Sequence, residues 1–130
     1  MLYLFLAAGG VLGTLARHGL GKWIAGQLGT GFPWHTFAIN LIGSLILGFA
    51  VRAFAAVPMS PETRGFVTVG FCGAFTTFST FSWETAVLIQ DGQWGRAAAY
   101  ALGSVAAGLV CVFAGMWLAG AILPPPRVHG

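Results

Sequence analysis

The residues best suited to chemistry form one run, Gly70-Phe71-Cys72-Gly73-Ala74-Phe75-Thr76-Thr77-Phe78-Ser79-Thr80-Phe81, followed by Ser82 and Glu84. Five hydroxyl residues fall in seven positions, interleaved with phenylalanines, in a stretch too apolar to be a loop. At membrane depth a hydroxyl must bond to protein, trapped water or an ion, because lipid offers no partner. Phe75, Phe78 and Phe81, spaced three apart, predict one drifting stripe on a helix. Thr76 and Ser79, with Thr80 and Ser82 one position off, predict a hydroxyl stripe beside it. Aromatic rings have a positive edge, so edges turned inward can meet an anion without a formal charge. Each hydroxyl donates one proton in place of water stripped from that anion. Weak donors suit conduction, since a site must admit an ion and then release it. The competing reading has these Ser and Thr side chains bonding back to i−4 carbonyls or gluing helices while the rings pack. Five hydroxyls in so short a run exceed what gluing needs.

Other polar groups add to this run. Gly70 and Gly73, three apart, favour a local helix break that would free carbonyl oxygens for a hard cation such as Na⁺. A close helix crossing is the alternative use of such glycines. Asn40 stands in mid-segment and offers two amide protons to an anion or a neighbouring helix. Tyr100 and Ser104, at i and i+4, put two hydroxyls on one helix face. Glu84 reads as an ordinary end charge at the interface; pairing with Arg17 or Lys22 is the other possibility.

These groups need elements to hold them, and the composition says which. The chain has 130 residues, 57% hydrophobic and only 7% charged, with mean hydropathy +0.83. A soluble domain carries about 25% charged residues, so this chain could not clothe a water-facing surface. It reads as an all-α integral membrane protein, a single membrane domain over residues 1–130. Four spans are expected, at about 2–28, 34–57, 65–89 and 97–123, with a tail at 124–130. Pro58, Pro61 and the Pro124-Pro125-Pro126 run mark breaks, and Ser60 before Pro61 suits a helix N-cap. Trp23, Trp34, Trp94 and Trp117 lie near span ends, where interfacial belts form. The first segment lacks a basic n-region and three apolar segments follow, so it reads as a retained span rather than a signal peptide. Gly9-x-x-x-Gly13, Ser44-x-x-x-Gly48 and Ser104-x-x-x-Gly108 predict close helix packing.

Charge says less. The pI near 9.4 rests on a net charge of +3 from scattered cations, with no basic run that would bind nucleic acid. Arg17 near the end of the first span reads as a snorkelling side chain, with a water-filled vestibule as the alternative. Arg52, Arg64 and Arg127 fall on one side of the membrane and Arg17, Lys22 and Arg96 on the other. The tie leaves orientation open: dual topology with antiparallel pairing, or an accident of one deciding charge. A monomer of four helices could hardly enclose a polar path, whereas a dimer could. Cys72 and Cys111 read as small hydrophobes, and His18, His35 and His129 receive no role.

At these residues the sequence resembles the CrcB/Fluc family of small fluoride channels. The matching pieces are Gly9-Gly10-x-x-Gly13-x-x-x-Arg17, Thr36-x-x-x-Asn40-x-x-Gly43-Ser44 and the whole run from Gly70 to Phe81. The resemblance implies an antiparallel, dual-topology homodimer in a cell's inner (plasma) membrane, with the third helix broken. It implies passive fluoride export that relieves toxicity, since HF enters cells as a neutral molecule and ionises inside. A structural Na⁺ would be held at the dimer centre by backbone carbonyls of Gly73 and Thr76 from both subunits. The fluoride pathway would include Asn40, Phe78, Phe81, Ser79, Thr80, Tyr100 and Ser104. Gly108 stands where some relatives carry a hydroxyl, so that contact is not carried over.

Other classes fit less well. A proton-coupled small multidrug-type transporter has similar length and topology, yet it wants a carboxylate in the first span, and residues 2–16 hold none. An enzyme is not expected: no base stands near the Ser/Thr run and no HExxH or phosphate loop occurs.

Overall fold

A computed structural model describes residues 1–126; Arg127, His129 and the rest of the tail lie outside the described residues. Two long helices open the chain, α1 (Leu2–Leu28) and α2 (Trp34–Ala56). A third, interrupted arm follows: α3 (Pro61–Gly65), a wide π-helical stretch (Phe66–Cys72), α4 (Gly73–Phe75) and, past a break, α5 (Phe78–Gln90). The last helix is α6 (Trp94–Ile122). At 23 and 29 residues, α2 and α6 are long and apolar enough to cross a membrane.

Local chemistry sets these boundaries. Ser60 Oγ accepts from Thr63 N at 3.2 Å and Pro61 occupies the first helical position, so α3 starts there. This is four residues before the apolar segment expected at 65. Likewise α6 begins at Trp94 rather than 97, because a polar first turn can be helical without facing lipid. Gly29 ends α1 at φ 75°, a conformation that favours glycine.

Small residues let the helices meet backbone to backbone. Gly48 of α2 lies against the Val112 carbonyl of α6, and Gly115 of α6 against the Leu45 carbonyl and, at 2.7 Å from a built Cβ, Phe49 N. Gly9 and Gly13 of α1 lie against the backbone at Phe66 and Phe71. Such contacts replace the hydrophobic effect, which lipid removes between helices. Gly108 makes no such approach; a Cβ there would meet only Ser44 Oγ, at 3.8 Å.

The interruption is not at the glycines. Gly73 is helical (φ −62°, ψ −35°), and a Cβ on Gly70 would come within 3.0 Å of Gly9 Cα, so Gly70 serves the helix crossing. The chain leaves helical geometry at Thr76 (ψ 160°) and Thr77 (φ −150°, ψ 118°). π-helical turns such as the one before it often accompany functional sites.

Candidate functional site

The break is held open by one side chain from another helix. Thr77 N donates to Asn40 Oδ1 at 2.8 Å, and Asn40 Nδ2 donates to the Thr77 carbonyl at 3.1 Å. In a continued helix, Thr77 N would instead have bonded the Gly73 carbonyl. Thr77 then caps α5: its Oγ1 accepts from Thr80 N at 3.3 Å. The same Oγ1 donates to Thr80 Oγ1 at 3.0 Å, which leaves Thr80's own proton free to donate elsewhere. Thr76 Oγ1 bonds back to the Cys72 carbonyl at 2.9 Å, the local pattern weighed as the competing reading. Arg17 Nη1 reaches the Thr76 carbonyl at 3.3 Å.

Two grooves meet at Thr77, which lines both. One, of about 360 Å³, is lined by Asn40, Ser44, Gly73, Phe78, Phe81 and Ser104 among others. Phe78 is 79% exposed there, with its centroid 5.8 Å from that of Phe81. Ser104 Oγ is buried without a hydrogen-bond partner. The other groove, of about 430 Å³, carries Arg17, His18, Lys22 and His35 together with Thr36 and Thr80. Arg17 lines this groove, as the vestibule alternative has it, and the Thr76 carbonyl freed by the break offers it a partner.

Several sequence expectations change. Phe75 does not share a stripe with Phe78 and Phe81: it is buried and stacked on Phe71 at 5.5 Å, since the extended Thr76-Thr77 pair resets the helical phase. The hydroxyl stripe is cut at the same point. Ser79 is exposed and lines neither groove. Tyr100 is 1% exposed and separated from Ser104's groove; its ring meets Phe81 edgewise at 5.1 Å, and its hydroxyl donates to Glu84 Oε1 at 3.4 Å. Glu84 is neither a free end charge nor a partner of Arg17 or Lys22, for His35 Nε2 lies 3.5 Å from its Oε2. His35 and Glu84 escaped the sequence reading because they stand 49 positions apart on different helices. The available signal was an acid in an apolar run, which needs a partner.

Among the described residues no three His, Cys, Asp or Glu side chains converge. The backbone at Gly73 and Thr76 offers oxygen atoms instead. The Gly73 carbonyl has lost its helical donor, the residue is exposed, and a Cβ there would find nothing nearer than Thr68 O at 3.9 Å. The Thr76 carbonyl retains a second lone pair beside its bond to Arg17.

An apolar helical bundle with polar grooves on both sides of a helix break defines the class: an all-helical membrane protein. The chain belongs to the CrcB-like protein, Camphor Resistance (CrcB) family, whose model matches residues 4–116. It is 47% identical over 121 residues to a fluoride-specific ion channel FluC of Thermus thermophilus, covering 93% of this chain and 95% of the relative. Proteins of the same name from Acidobacterium capsulatum (47% over 117 residues; 89% and 94% covered) and Stutzerimonas stutzeri (45% over 115 residues; 88% and 93% covered) are also similar.

Proposed function

We propose that this protein is a fluoride-selective channel that lets F⁻ leave the cytoplasm passively. The observation that carries this reading is the meeting of a cationic, hydroxyl-lined vestibule and a phenylalanine-edged groove at the Asn40–Thr77 clamp. Arg17 and Lys22 concentrate anions in the vestibule. Thr80 and Ser104 offer free hydroxyls, and Asn40 keeps one amide proton beyond its bond to Thr77. Ring edges of Phe78 and Phe81 then receive a desolvated anion without trapping it.

One protomer leaves this path open on one side, with Phe78 bare and Gly73 facing outward. In our reading an antiparallel copy closes it, giving a dual-topology homodimer of four spans per subunit in the inner membrane. Gly73 and Thr76 carbonyls from both copies would hold Na⁺, which supplies a positive centre that ties the two breaks together. The proton-coupled transporter has no support here, for α1 holds no Asp or Glu. The test is flux: vesicles containing the purified protein, with K⁺ shunted by an ionophore, should release fluoride and retain chloride. Absence of fluoride efflux would defeat the proposal.

A further inference from the structure

His35 stands in the first turn of α2, lining the vestibule, with its side chain 30% exposed. Its Nε2 lies 3.5 Å from Glu84 Oε2, while Nδ1 is buried without a partner. Glu84, 17% exposed, follows Thr80 by four residues on α5, so the two share a face about one turn apart. Its other oxygen takes the Tyr100 hydroxyl, and Tyr100 packs on Phe81. Glu84 therefore lies about one turn of α5 from both Thr80, which lines the vestibule, and Phe81, which lines the other groove.

We propose that His35 is a positioning residue that makes anion conduction pH-sensitive by setting the net charge of the His35–Glu84 pair. With the imidazole neutral, Nε2–H donates to the carboxylate and the pair carries one negative charge next to the route between the grooves. That charge opposes an anion. With the imidazole protonated, the pair is neutral overall and the opposition falls. Conduction thus rises as pH falls through the range in which imidazoles gain a proton. The groups facing His35 are Glu84 of α5 and Tyr100 of α6 and, across the vestibule, Arg17, His18 and Lys22 of α1. The requirement that a proton reach the pair is met by the exposure of His35 to the vestibule.

This inference rests on the fluoride-channel reading, and the experiment separates the two. Fluoride efflux is measured from vesicles held at the same pH inside and out, at about pH 7.5 and about pH 5.5. Protein-free vesicles give the HF leak to subtract. One charge near the path, partly screened, should change wild-type flux roughly threefold or more, faster at the acid value. His35→Gln should be flat with pH, near the wild-type rate at the higher pH. Glu84→Gln should already run near the wild-type acid rate at the higher pH. His18→Gln should keep the response. His35→Lys, a second variant with a permanent positive charge, should be flat and fast, and serves if His35→Gln does not fold. A response that survives in His35→Gln or vanishes in His18→Gln overturns the proposal, as does wild-type flux that is flat or slower in acid. Absence of wild-type efflux at both pH values overturns the channel reading itself.

Discussion

Asn40 and Thr77 exchange two hydrogen bonds, side-chain amide against backbone peptide, much as two strand residues would pair. The clamp spares Thr77 an unsatisfied peptide group at membrane depth, where each would cost several kcal/mol. It also sets the amide of Asn40 at the junction of the two grooves. The break and the lining of a groove thus share one side chain.

Asn40→Asp tests this junction. Aspartate can still accept from Thr77 N, but it turns a lone pair toward the Thr77 carbonyl and puts a negative charge in the anion route. Leaving the part-buried carbonyl unsatisfied costs up to about 1–3 kcal/mol. Fluoride flux is expected to drop at least tenfold, and undiminished efflux would remove Asn40 from the pathway.

Phe78→Ile and Phe81→Ile probe the ring edges. Isoleucine keeps apolar bulk and loses the positive edge. Flux should fall roughly tenfold or more in each, with an elution volume unchanged from wild type in size-exclusion chromatography. Because Phe78 is 79% exposed in the protomer, its variant should barely alter the fold of one subunit. Wild-type flux in both would return these rings to packing.

Na⁺ removal addresses Gly73 and Thr76. Purification with a large organic cation in place of Na⁺ should weaken the dimer or stop flux, and re-adding Na⁺ should restore it. Unchanged association and flux without Na⁺ would strike both carbonyls from the site.

Gly48→Ala and Gly115→Ala report on the α2–α6 contact. A methyl at either position meets backbone of the facing helix, which cannot yield as a side chain can. Each should destabilise by about 1–3 kcal/mol. Gly26→Ala, with nothing within 4 Å, should be neutral within about 0.5 kcal/mol. Thermal unfolding in detergent distinguishes them, and equal melting temperatures for all three would contradict the packing described.

Much of this was readable beforehand. Apolar runs locate the helices because a bilayer demands about 20 apolar residues whatever their neighbours. Ser60, Pro61 and Gly29 mark boundaries because capping and positive φ are local matters. The hydroxyl and phenylalanine run picks out the stretch that holds the helix break and lines the grooves, because polar groups in lipid are costly and need partners. Phase is where the residue pattern misleads. Phe75, Phe78 and Phe81 keep helical spacing in the sequence, yet two extended residues between them send Phe75 inward and Phe78 outward.

Composition and local chemistry therefore determine that this is a helical membrane protein and where most of its helices begin and end. Only the tertiary structure decides how they are used. Helical periodicity places the break at no particular residue; Asn40, 37 positions away, does so by taking the Thr77 peptide out of the helix. The pairing of Arg17 with the Thr76 carbonyl and of His35 with Glu84 likewise joins different helices. Such bonds depend on how helices cross, which no local pattern encodes, because in lipid the crossing is set by close contacts between distant small residues.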